Sequence, residues 1–120
     1  MALILVADDE ILLAEVLRDI LGDAGHEVVV AQHGKRALEM IRERRPALVI
    51  SDFMMPIMTG LELAEAVKAD AELADLPIVL VTGAQGHIAR DHGDLFIDVL
   101  DKPYDLNRLI ELIDSVVTKP

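Results

Sequence analysis

Asp8 and Asp9 follow the apolar run LILVA, Asp52 follows ALVIS, Thr82 closes IVLV, and Lys102 lies just past FIDVL. If these runs are strands of an open parallel sheet, their carboxyl ends share one edge, and residues far apart in the chain converge on one crevice. Three carboxylates, a hydroxyl and an ammonium gathered there have the chemistry of a phosphoryl-handling metal site. Crowded carboxylates repel one another unless a hard divalent cation neutralises them. Mg2+ suits that set, because it prefers oxygen ligands and keeps waters that leave room for a phosphoryl oxygen; Mn2+, which shares the preference for oxygen donors, is the alternative. A carboxylate is also a competent nucleophile toward phosphorus, forming an acyl phosphate. The charge on the transferred oxygens then needs fixed positive partners, a role for the cation and the Lys102 ammonium.

The elements that must carry these groups alternate regularly. Residues 2–7 form a short apolar run, and the next segment, 11–21, places Leu13, Val16, Leu17, Ile20 and Leu21 at helical spacing. Gly22 and Gly25 turn the chain into the β-branched run Val28, Val29, Val30. A helix over 35–45 buries Ala37, Leu38 and Ile41 and is stopped by Pro46, after which 47–51 reads as a third strand. A loop with Pro56 and Gly60 leads into a helix over 61–69, and Pro77 introduces a fourth strand over 78–81. A fifth strand ends near Lys102, and Asp105 is placed to cap a last helix bearing Leu106, Leu109, Ile110, Ile113, Val116 and Val117. Five strands alternating with helices imply an α/β doubly wound fold with a parallel sheet covered on both faces.

The composition narrows the function classes. At 120 residues the chain is expected to be one domain, 1–120, with no output domain attached. Hydrophobic residues at 52% and charged residues at 28% are those of an ordered globule. The absence of cysteine excludes disulfides, thiolate metal sites and cysteine nucleophiles. With no signal-peptide pattern and no run near the ~20 apolar residues that span a bilayer, a cytoplasmic protein without membrane contact is expected. The net charge of −11 repels phosphate backbones. The basic cluster Lys35, Arg36, Arg42, Arg44 and Arg45 is interleaved with Glu39 and Glu43, so it reads as a solvated, salt-bridged face. Direct nucleic-acid binding is not expected.

VADDE, VISDFMMPIMTG, VLVTG and LDKPY, in this order and each at a strand end, resemble the receiver domain of bacterial two-component response regulators. The resemblance covers essentially the whole chain and implies a flavodoxin-like strand order, 2-1-3-4-5. It implies that Asp52 is the phosphoacceptor, that Asp9 and Asp52 bind Mg2+ directly, that Asp8 binds it mainly through water, and that Met54 supplies its backbone carbonyl. Lys102 then stabilises phosphoryl charge, and Thr82 is the switch hydroxyl. The implied donor is a phosphohistidine on a sensor histidine kinase or a phosphotransfer protein, docking by the first helix with Glu10, Glu15, Arg18 and Asp19 exposed. A downstream protein would read the switch. The protein would catalyse only its own phosphorylation and dephosphorylation. The Lys102–Pro103 bond is expected to be cis, since X-Pro is where cis costs little.

Two departures from the family pattern stand out. Val99 occupies the position, three before the lysine, where receivers commonly carry a Tyr or Phe that swings inward; Phe96 and Tyr104 are out of register. The stretch Gly83 to Asp94 has three glycines and no clear apolar stripe, which predicts a short or irregular fourth helix. A phosphorylation-independent binding module is therefore the alternative. An aspartyl-nucleophile phosphatase is less favoured, because Met54 stands where its second Asp would be, and slow self-hydrolysis is expected because Met54 and Ala84 offer no general base. A flavin binder is weaker still, since no phosphate loop follows the first strand. The methionines at 54, 55 and 58 read as packing, and His26, His33, His87 and His92 share no ligand spacing.

Overall fold

Aliphatic and β-branched runs too short for helices form β1 (Leu3–Ala7), and the first amphipathic segment forms α1 (Ile11–Asp23). They are followed by β2 (Glu27–Ala31), α2 (Gly34–Glu43), β3 (Leu48–Asp52), α3 (Gly60–Ala69) and β4 (Ile78–Thr82). The chain continues through α4 (Gly86–Asp91), a 3-10 turn (Gly93–Leu95), β5 (Asp98–Asp101) and α5 (Leu106–Val117). This computed structural model describes residues 2–83, 86–102 and 105–117. The expectations that concern the Lys102–Pro103 bond, Ala84 and Tyr104 lie outside the described residues.

The strands form one parallel sheet in the order β2-β1-β3-β4-β5. Alternate side chains of each strand point to opposite faces, so a continuous apolar run is what a sheet covered on both sides requires. Ile4 and Val6 of β1, with Leu48, Ile50, Val79 and Val81, pack under Ala14, Leu17 and Leu21 of α1 and Leu109 and Ile113 of α5. Leu5, Ala7, Val49, Ile78 and Leu80 face Ala37, Leu38 and Ile41 of α2 and Leu63, Ala64 and Val67 of α3. Each fully buried Leu or Ile contributes roughly 1.5–3 kcal/mol. The sheet is thereby a rigid platform whose carboxyl edge presents Asp8, Asp52, Thr82 and Lys102.

Local chemistry sets the element ends. Asp105 Oδ1 accepts the Asn107 N–H at 2.9 Å, the expected cap of α5. Thr59 and Glu62 form a capping box at the start of α3, each accepting the other's backbone N–H. Gly25, at φ 96, makes the left-handed turn between α1 and β2. Helix α2 stops at Glu43, two residues short of the expected end, because Arg44 is extended ahead of the Arg45–Pro46 pair. The fourth helix is short and passes into the 3-10 turn, as its glycines foretold.

Two expectations need correction. In α1 the buried stripe is Ala14, Leu17 and Leu21, while Val16 is 52% exposed and Leu12 84% exposed. Ala14, Leu17 and Leu21 together face the sheet, which leaves Leu12 and Val16 on the solvent side. The basic cluster does not lie on one helix face. Arg36 pairs with Glu39 and Glu43, but Arg42 reaches Asp70, Arg44 reaches Glu27, and Arg45 donates to the Glu72 carbonyl.

Candidate functional site

The crossover topology brings the ends of β1, β3, β4 and β5 to one edge, with Asp52 as the last residue of β3 and Thr82 as the last of β4. Asp52 stands opposite Val81 in the register, and Thr82 stands opposite Asp101, one residue before Lys102. Lys102 is fixed by its backbone N–H, which donates to the Thr82 carbonyl at 2.8 Å. Its ammonium lies 3.1 Å from Asp52 Oδ1 and 3.4 Å from Glu10 Oε1. Asp8 is buried at the end of β1, and its Oδ1 accepts the Glu10 N–H at 2.9 Å.

The loop after β3 turns tightly beside the buried Asp52. Ile57 has φ 71, and Met58 N–H donates to the Pro56 carbonyl at 2.7 Å, which closes a three-residue γ-type turn. Gly60 packs against the Asp52 backbone, since a Cβ there would meet the Asp52 carbonyl oxygen and, at 2.7 Å, Leu80 Cδ1. Phe53 and Met55 enter the core, whereas the Met54 side chain is exposed. The methionines therefore divide, with Met55 and Met58 in packing and Met54 at the rim.

The charges in the crevice are under strain. Burial, opposed by the hydrogen bond from Glu10 and reinforced by the charge of Asp52, pushes the Asp8 carboxyl from 3.8 up to about 6. Burial likewise raises Asp52, and Asp9 adds to it, against the hydrogen bond and charge of Lys102. Burial pulls the Lys102 ammonium down, but the hydrogen bonds and charges of Asp52, Asp8 and Glu10 leave it above the ordinary lysine value. Asp8, Glu10 and Asp52 each offer an oxygen within 4.8 Å of the others. Hard anionic donors whose mutual repulsion is incompletely compensated fit Mg2+.

Of the residues that the sequence singles out, Asp8, Asp52 and Lys102 meet directly. Asp9 is exposed and stands outside the group of converging oxygens, although its charge is felt at Asp52. Thr82 is fully buried, and its Oγ1 has no hydrogen-bond partner among the described residues. Met54 follows in the loop. Sequence reasoning places Glu10 only on an exposed helix face, yet it is the third carboxylate of the group; the available signal is a third acidic residue directly after the Asp pair.

Residues 4–114 match the family described as response regulator receiver domain. The chain belongs to the response regulator receiver family. This receiver is 31% identical over 117 residues to the polar-differentiation response regulator DivK of Brucella anthropi, a match covering 93% of both chains. It superposes on a putative response regulator from Chloroflexus aurantiacus with a TM-score of 0.89 at 28% identity, covering 98% of each chain. The response regulator protein TrrA of Thermotoga maritima, solved in complex with Mg2+ and BeF, matches with a TM-score of 0.86 at 31% identity, covering 97% of this receiver and 99% of that chain. Membership carries phosphoacceptor signalling with it, and receivers bind Mg2+ at their acidic pocket. No described helix of this receiver is long and apolar enough to cross a membrane.

Proposed function

We propose that Asp52 accepts a phosphoryl group from a phosphohistidine on a sensor histidine kinase or phosphotransfer protein, in a Mg2+-dependent reaction. The observation that carries this reading is the Asp52 carboxylate held 3.1 Å from the Lys102 ammonium beside buried Asp8. A carboxylate oxygen of Asp52 attacks phosphorus, the P–N bond of the donor breaks, and the imidazole leaves neutral because its other nitrogen carries a proton. Lys102 follows the charge onto the phosphoryl oxygens. By the family resemblance Asp9, Asp52 and the Met54 carbonyl would hold the cation and Asp8 would reach it mainly through water, although in the resting chain Asp8 and Asp52 converge and Asp9 stands outside that group; the bound cation would supply charge neutralisation for the incoming phosphoryl group. Mn2+ would serve in its place.

Thr82 reports the event. A buried hydroxyl with no partner among the described residues is costly, and a phosphoryl oxygen on Asp52 offers it an acceptor. The donor protein docks by α1, where Glu10, Glu15, Arg18 and Asp19 are exposed, as are the apolar Ile11, Leu12 and Val16. In this reading the domain catalyses only its own phosphorylation and dephosphorylation and acts as a signal to a downstream protein. Val99, partly buried against the core, favours a second reading in which a partner binds regardless of phosphorylation. Equal partner affinity for wild type and Asp52→Ala would select that reading.

Incubation with acetyl phosphate and Mg2+ tests the acceptor chemistry. Intact mass should show one hydroxylamine-labile phosphate in wild type and none in Asp52→Ala. A labile phosphate retained by the variant would move the nucleophile elsewhere.

A further inference from the structure

Glu10 occupies the N-cap position of α1, where Ser, Thr, Asp or Asn would ordinarily cap the helix, yet its side chain makes no cap hydrogen bond. Its carboxylate instead crosses the crevice to Lys102, 92 residues away in the chain, with Oε1 3.4 Å from Nζ. The direction of that reach is set from behind, because Asp8 Oδ1 holds the Glu10 N–H at 2.9 Å. The ammonium is thus divided between two carboxylates, Asp52 on the crevice floor and Glu10 at the rim.

We propose that Glu10 is a positioning residue that holds the Lys102 ammonium in the resting protein and gives it up when Asp52 is phosphorylated. The inference rests on Asp52 being the acceptor. An ammonium has three donors in a movable fan, so it can keep Asp52 while one N–H turns from Glu10 to a phosphoryl oxygen. Because the Glu10 contact must be given up, its cost opposes phosphorylation and the binding of a phosphoryl mimic. The Glu10 side chain is 65% exposed, so the contact has only the modest strength of a surface ion pair. It acts as a weak brake on an otherwise ready site.

Two substitutions separate the tether from a simple field of negative charge. Glu10→Gln removes the charge, while Glu10→Asp keeps the charge and shortens the side chain by one methylene, so that it no longer reaches Lys102. At saturating Mg2+, both variants are expected to bind beryllofluoride about two- to fivefold more tightly than wild type and to be phosphorylated faster by acetyl phosphate in the same ratio, the range that loss of an exposed ion pair allows. The Lys102 side-chain ammonium resonance should shift alike in both resting variants. If Glu10→Asp matches wild type while Glu10→Gln gains, the effect is one of charge alone and the tether is overturned. Unchanged affinity and rate in both variants overturn it as well. Failure of the wild type itself to bind beryllofluoride with Mg2+ would instead overturn the acceptor reading beneath it.

Discussion

Asp8→Asn measures how far the acidic crevice is held together against its own charge. Asp8 is buried, and its carboxyl is raised from 3.8 to about 6, chiefly by that burial. The folded chain binds this proton more tightly than the unfolded chain does. The stabilising contribution of the group is therefore present in full below pH 3.8 and is lost as pH rises through about 6. At about 1.4 kcal/mol per tenfold change in proton affinity, charged Asp8 costs on the order of 3 kcal/mol in the metal-free protein at neutral pH. Asparagine keeps an oxygen for the Glu10 N–H and removes the charge. Urea unfolding in the presence of a chelator should show Asp8→Asn more stable than wild type by about 2–3 kcal/mol near pH 7.5 and within about 0.5 kcal/mol of it near pH 4. In thermal melts the neutral-pH difference corresponds to a Tm rise on the order of 10 °C. Added Mg2+ should stabilise wild type more than the variant, because a ligand stabilises the state that binds it. No gain at neutral pH, or an equal gain at both pH values, would refute the reasoning.

Thr82→Val should stabilise the unphosphorylated protein by about 1 kcal/mol, since it removes a buried hydroxyl without a partner among the described residues. The same variant should lose the shifts of backbone resonances that Mg2+ and beryllofluoride induce, and a destabilised variant would show that the hydroxyl is bonded. Gly60→Ala should cost about 1–3 kcal/mol in urea unfolding despite better helix propensity, because the new methyl meets the Asp52 carbonyl and Leu80. An unchanged midpoint would mean that α3 moves away freely. Thr59→Ala breaks the capping box and should cost about 1 kcal/mol, read by the same unfolding curves; a loss under about 0.3 kcal/mol would assign the start of α3 to packing alone.

The alternation of β-branched runs with amphipathic segments made the sheet and its helices legible, because both faces of a parallel sheet must be covered. The glycines between Thr82 and Lys102 likewise foretold the short α4. The buried face of α1 was not legible in the same way. Val16 falls at helical spacing with Leu17 and Leu21, and only the approach of small Ala14 to the sheet shows which side is buried. The scattered partners of Arg42, Arg44 and Arg45 lie in other elements, so spacing along the chain carried no signal for them.

For the site, the chain itself determined which chemical groups are present: Asp8, Asp9, Asp52, Thr82 and Lys102 are each tied to a strand end by local patterning, and parallel pairing sends all strand ends to one edge. Tertiary structure alone decided how those groups share the crevice. It buried Asp8 and left Asp9 exposed, orphaned the Thr82 hydroxyl among the described residues, and drew Glu10 across to Lys102. The reason is physical. Strand periodicity and capping act over a few residues and can be read locally, whereas burial, proton affinity and ion pairing depend on distances between segments that only the packed fold brings together.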